Sequence, residues 1–158
     1  MILHALTGVT NFEWLISDAI IKLAKELNAK EIISIEGVGS STLGQSEPKV
    51  FFLGKNKKIK SVGVEELKEG IIVGVTGALL LRKDFPITCV FAETQSNFPD
   101  SRAAAKVVEV LDRYLGLKVD YKPLLEKAAK FEGKMKELIE KAQSMSAQKD
   151  KKKLTYFG

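Results

Sequence analysis

The chain has little of what covalent chemistry usually needs. Among its 158 residues there is one cysteine, Cys89, and one histidine, His4. A single cysteine excludes an internal disulfide and fits a reducing compartment, so a cytoplasmic setting is expected. One His and one Cys cannot build a zinc site without several carboxylates, and no ligand spacing supports one. No metal and no other cofactor is expected. Cys89 stands between Thr88 and Val90 in an apolar run, where a thiol is inert packing. His4 falls in an expected strand, far in sequence from any paired nucleophile, and reads as a core histidine. No apolar run reaches the roughly 18 residues that a membrane span requires. The opening, MILHALTG, lacks the basic n-region of a signal peptide.

What is present points to a folded body. Apolar residues make up 45% of the chain, enough for one domain with a real core. The net charge of +5 raises the question of nucleic acid. Its distribution answers much of it. Residues 149–158 hold four lysines and one aspartate, which leaves 21 basic and 19 acidic groups in the first 148. Lys55, Lys57, Lys58 and Lys60 form the other basic cluster and read as a solvated loop.

Taken in order, the chain alternates strands and helices. Ile2–Leu6 is a strand candidate. Thr10 or Asn11 can cap a helix from about Phe12 to Leu27, whose Leu15, Ala19, Ile20, Leu23, Ala24 and Leu27 recur at helical spacing. Lys30–Glu36 reads as a buried strand, so the opening is expected to be a parallel β-α-β unit. Gly37–Pro48 reads as a loop and Val50–Leu53 as a strand. Gly54–Gly63 is either a hairpin or a turn into a short helix. Glu65–Glu69 is expected to be helical, Ile71–Val73 extended and Gly74–Leu81 helical. Pro86 introduces Ile87–Ala92, an apolar run that reads as a strand buried on both faces. The chain then turns through Glu93–Pro99. Asp100 or Ser101 can cap a helix that runs to about Leu115. This strand, loop and helix make half of a βαβ unit, and surfaces for ligands or partners form at that end of an open sheet.

The last helix starts after Asp120, with Pro123 near its first turn, and runs to about Met145. Its Leu124, Ala128, Phe131, Met135, Leu138, Ala142 and Met145 alternate four and three apart, a heptad seam. That seam either packs on the chain's own sheet or joins another subunit, with Phe131, Met135 and Leu138 as the candidate interface. The expected fold is therefore α/β: a mainly parallel sheet, helices on its faces, a long C-terminal helix and a mobile C-terminal tail. Residues 1–145 form the domain and residues 146–158 the tail.

Sites of chemistry are few. Gly37-Val38-Gly39-Ser40-Ser41 could turn backbone N–H groups toward a phosphate. It lacks a third glycine opening a helix, and no lysine holds the Walker position, so it reads as a plain loop. Gly74 and Gly77 read as small residues for close contact of helix and sheet. Glu93 and Asp100 flank a loop and invite a carboxylate-pair mechanism. Arg102 is a near neighbour of both, and an acid–Arg pair fixing the loop is the more economical reading.

Four pieces carry a resemblance. They are Gly74-Val75-Thr76-Gly77-Ala78-Leu79-Leu80-Leu81, then Ala92-Glu93-Thr94, then Phe98-Pro99-Asp100-Ser101-Arg102-Ala103-Ala104, then Leu115-Gly116-Leu117. In this order and spacing they resemble the archaeal members of the proteasome assembly chaperone family, from about Asn11 onward. The resemblance implies a non-enzymatic protein that binds proteasome α-subunits or the α-ring. Family members carry a further N-terminal portion before the stretch that aligns with Met1–Leu6. A sheet without it exposes an edge or an apolar face, and a second copy is expected to cover it, giving a homo-oligomer.

The tail ends Leu154-Thr155-Tyr156-Phe157-Gly158 after a basic stretch. It resembles the hydrophobic–tyrosine–any-residue ending by which proteasome activators dock between α-subunits. Here Phe157 takes the place of the tyrosine and Tyr156 the hydrophobic position, so the ring is kept and one hydroxyl is lost. The resemblance assigns partner binding to Tyr156, Phe157 and Gly158. A membrane surface is the weaker alternative for this tail, since a few lysines give only salt-sensitive adhesion. The rival for the whole chain is an α/β enzyme acting on a nucleoside or a phosphate-containing small molecule, an analogy from fold.

Overall fold

The computed structural model describes residues 1–5, 8–39, 47–94 and 100–123, then positions 125, 126, 129, 130, 133, 134, 137 and 138. Two compact units are present, Met1–Val119 and Asp120–Gly158. The first contains α1 (Glu13–Glu26), β1 (Ile32–Gly39), β2 (Val50–Gly54), a 3-10 helix (Lys57–Val62), β3 (Glu65–Glu66), α2 (Gly74–Leu80), β4 (Ile87–Thr94) and α3 (Ser101–Leu115).

The sheet runs in the order β1-β4-β2-β3. β4 pairs parallel with β1 and antiparallel with β2, and β2 pairs parallel with β3. β4 is buried over Ile87–Ala92, as its unbroken apolar run requires. Its alternate side chains serve two cores. Val90 and Ala92 join Phe52, Ile59, Ala103, Val107 and Val110 under α3 and the 3-10 helix. Ile87, Cys89 and Phe91 join Ile21 and Leu79 under α1 and α2. Helices on both faces of a central strand make a three-layer α/β domain.

α3 has both ends chemically defined. The Asp100 carboxylate accepts from the N–H groups of Arg102 and Ala103 at 3.1 and 2.9 Å. Gly116 closes it at φ 65°, donating to the Asp112 carbonyl at 2.7 Å. Gly54 is needed for a different reason. Its φ is 156°, and a Cβ there would lie 2.6 Å from the Ile87 carbonyl oxygen, so only glycine lets β2 reach the start of β4.

Several expectations are corrected. Met1–Ala5 forms no strand; no described strand pairs with it, its backbone is left to solvent, and His4 is exposed rather than in the core. The opening is therefore not a β-α-β unit, and the parallel neighbour of β1 is β4. β1 is an edge strand, half-buried rather than buried. Phe12, not Thr10 or Asn11, precedes α1, and no side chain caps it. Asn11 has φ 73° and instead donates its N–H to the Glu13 carboxylate at 3.1 Å. The inward face of α1 is Ser17, Ile21 and Ala24, while Leu15, Ala19 and Leu27 are exposed. Glu65–Glu69 is not a helix. Five residues nucleate one poorly, and Leu67 instead donates to the Phe52 carbonyl at 2.8 Å, extending the contact of β3 with β2. Gly37–Gly39 belongs to β1, so these backbones serve a sheet and not an anion loop. Gly54–Gly63 resolves as a turn into the 3-10 helix.

In the second unit the described positions between Lys122 and Leu138 are helical, with Pro123 in the first turn. Asp120 caps that start by accepting from the Lys122 N–H at 3.1 Å. Residues beyond 138, including the heptad positions Ala142 and Met145, lie outside the described residues.

Candidate partner-binding surface

The residues singled out in the sequence do not converge on one place. Tyr156, Phe157 and Gly158 lie outside the described residues, as do Phe131 and Met135. Leu138 is helical and 62% exposed. Glu93 and Asp100 do not make a reactive pair. The Glu93 carboxylate accepts from the Lys49 N–H at 3.3 Å, and its own N–H donates to the Lys49 carbonyl at 2.9 Å. Asp100 Oδ1 accepts both of the backbone bonds that cap α3. Both acids are thus tied to backbone donors.

The buried titratable groups are held in unreactive forms. Burial, with the nearby Glu36 charge, pushes the Cys89 thiol up to about 12, so it carries its proton at neutral pH. At the base of β1 and β4, Tyr114 donates to Glu31 Oε2 at 2.8 Å, and Thr88 and the Asn56 amide bond to Glu31 Oε1. Burial and the Glu31 carboxylate push the Tyr114 phenol up to about 12. This junction ties β1, β4, the 3-10 helix and α3 together. Among the described residues no three His, Cys, Asp or Glu side chains gather as a metal site. No described helix is long and apolar enough to cross a membrane.

One groove on the described surface is apolar. Two ion pairs hold α1 to the loop after α2: Arg82 with Asp18, and Lys25 with Asp84 at 2.8 Å. The Lys25 hydrogen bond draws the Asp84 carboxyl below its ordinary value. Beside them the first turn of α1 and the length of α2 enclose an open groove of about 480 Å³. Glu13, Trp14, Val73, Gly74, Gly77 and Leu81 line it. Gly74 has φ 71° and starts α2 where a side chain would be strained. Gly77 lets α2 close on the Ile72 carbonyl, which a Cβ would meet at 2.8 Å. The two glycines therefore shape the approach to α2 rather than a helix–sheet contact. Trp14 is 54% exposed and Leu81 68%. Phe12, Leu15, Ile71 and Val73 are exposed around them. Large apolar side chains grouped on a surface mark a site of association. Periodicity had assigned α1 a single inward stripe and missed this. The usable signal was Phe12-Glu13-Trp14-Leu15, where three of four successive side chains are large and apolar and cannot all face one core.

Known proteins resemble the chain over most of its length. A crystal structure of PbaA from Pyrococcus furiosus, described as an archaeal homolog of proteasome-assembly chaperone, is 30% identical with a TM-score of 0.75, covering 98% of this chain and 67% of that one. An uncharacterised protein of Methanocaldococcus jannaschii is 29% identical over 152 residues, which is 90% of this chain and 60% of that protein. PbaB from Pyrococcus furiosus, described as an archaeal proteasome activator, shares the fold at 22% identity and a TM-score of 0.68, over 82% of this chain and 60% of its own. The chain thus spans 60% to 67% of the length of these relatives. The sequence description of the PAC2 family matches residues 1–139, and a match of that extent, on an α/β frame shared with PbaA, means that the chain belongs to the PAC2 family.

Proposed function

We propose that this protein is a proteasome assembly chaperone or α-ring-binding factor that works by contact, without catalysis. The similarity to PbaA over 98% of this chain is the observation that carries the reading. Two features support it. The Glu31 and Asp100 carboxylates are hydrogen-bonded and the Cys89 thiol holds its proton, while the accessible surface around Trp14 and Leu81 is apolar and suits a protein partner. In this reading Tyr156, Phe157 and Gly158 form the gripping end, and an oligomeric body presents several such ends at once. Linked weak contacts then bind far more tightly than one, because each later contact is intramolecular. In the same reading Phe131, Met135 and Leu138 help join the copies.

The test is capture of a purified proteasome α-ring by the full chain and by a chain ending at Thr155. Full capture by the first and at least a tenfold loss in the second, at unchanged oligomer mass, is the expected result. Equal capture by both removes the tail from the mechanism, and no capture by either removes the function.

A further inference from the structure

β1 and β4 begin, and β2 finishes, at one end of the sheet, because Ile32 is opposite Ile87 and Gly54 is opposite Thr88. The last turn of α3 comes to the same end, since Tyr114 donates to Glu31 there. Four stretches therefore meet: residues 27–31, 55–58, 81–86 and 115–119. Each brings exposed lysine: Lys30 from the first, Lys55 and Lys58 from the second, Lys83 from the third and Lys118 from the fourth. Among the described residues none of the five forms an ion pair.

The other charges of this end are engaged. Arg82 pairs with Asp18, Arg113 with Glu109, and Lys25 with Asp84 at 2.8 Å. The Glu31 carboxylate takes Tyr114, Thr88 and Asn56, and Asp112 Oδ1 accepts from the Val119 N–H at 3.0 Å. Glu26 is exposed. A carboxylate bonded inward keeps its charge, but the groups presented outward are mainly ammonium. The frame beneath them is ordered. Lys30 adjoins Glu31 and Lys55 adjoins Asn56, and those two neighbours are joined at 3.2 Å. Ile59, fully buried, anchors the 3-10 helix that carries Lys58. Charges on such a base lose less freedom when a partner arrives.

We propose that this end of the domain is a docking surface for a carboxylate-rich protein segment. The inference goes beyond the chaperone reading and uses neither the tail nor the Trp14 groove. The class of partner follows from residue type. All five groups are lysines, compact charges without the planar fork that arginine offers a phosphate. The two arginines of this end are already paired. No exposed Phe, Tyr or Trp lies in the four stretches, so a nucleic-acid strand finds no ring on which to stack its bases. Carboxylates need only the charge. Lysines gathered in this way steer an acidic partner and speed its arrival more than they tighten its hold.

The experiment follows binding of a labelled oligo-glutamate peptide to the full chain by fluorescence anisotropy. Replacing Lys30, Lys55, Lys58, Lys83 and Lys118 together by glutamine should weaken binding about tenfold or more, with an unchanged far-UV spectrum. Replacing Lys151, Lys152 and Lys153 by glutamine should weaken it by less than about threefold, which separates this surface from the basic tail. Raising salt from about 0.05 M to about 0.5 M should weaken the wild-type complex and bring it level with the five-lysine variant. If that variant does not fold, Lys30→Gln with Lys55→Gln decides the matter, with a loss of about threefold expected. Absence of peptide binding, equal binding by the folded variant, a greater loss from the tail lysines, or tighter binding of a single-stranded oligonucleotide or of phosphatidylserine vesicles would overturn the proposal. The chain ending at Thr155 should bind the peptide as the full chain does, so failure here and failure of the α-ring reading are distinguishable.

Discussion

The pairs α1–β1 and β4–α3 look alike as strings of residues and end up in opposite circumstances. Each joins an apolar strand to a helix. β4 is covered on both faces, and α3 is capped by Asp100 at one end and Gly116 at the other. Among the described residues β1 has a neighbouring strand on one side, and α1 begins with no side-chain cap and leaves Trp14 and Leu15 in solvent. Apolar periodicity reports which positions could be covered. What covers them is decided by strand order, a property of the whole chain.

The contrast can be broken or sharpened by substitution. Phe91, fully buried at the centre of β4, should be the most costly: Phe91→Ala is expected to lose about 3–5 kcal/mol of unfolding free energy by denaturant titration. A loss below about 1 kcal/mol would mean that the two strands are not so different. Asp100→Ala should cost about 1 kcal/mol, the worth of one helix cap, and Asp100→Asn should restore most of it. Leu15→Ala, on the open side of α1 at 64% exposure, should change stability by no more than about 0.5 kcal/mol. A larger loss would show that another surface covers it. Cys89→Ala bears on the same contrast through alkaline stability. The thiol has an ordinary value of 9.0 and a folded value of about 12. Below pH 9 both folded and unfolded chains hold the proton. Between those values the unfolded chain releases it first, so stability should fall as pH rises. The variant should lose part of that decline, leaving a smaller one from Tyr114, whose phenol is raised from 10.0 to about 12.

The sequence was informative where a local rule sufficed. The unbroken apolar run of β4, the Asp100 cap and the glycine-led α2 were all legible, because each depends on a few neighbouring residues. Ile2–Leu6 was misjudged, and Lys30–Glu36 was rightly a strand but not a buried one, because apolar strands look the same at an edge, in a centre or unpaired. Glu65 and Glu66 suggested a helix, and Phe52 overruled them through a backbone bond to Leu67. Of the surface, the Trp14 groove needed α1 and α2 side by side, which no spacing along one helix reveals. The Glu31, Asn56, Thr88 and Tyr114 junction joins residues up to 83 positions apart, beyond any motif window.

The order β1-β4-β2-β3 also bears on synthesis. Among the described strands, the one made last bridges the others. Until Ile87–Thr94 has left the ribosome, β1 and β2 share no neighbour, and half of the domain cannot recognise the other half. Such a chain does not accrete segment by segment as it emerges. It must wait nearly to the end of α3 and then close in one cooperative event, with its apolar segments dependent until then on whatever shields nascent protein.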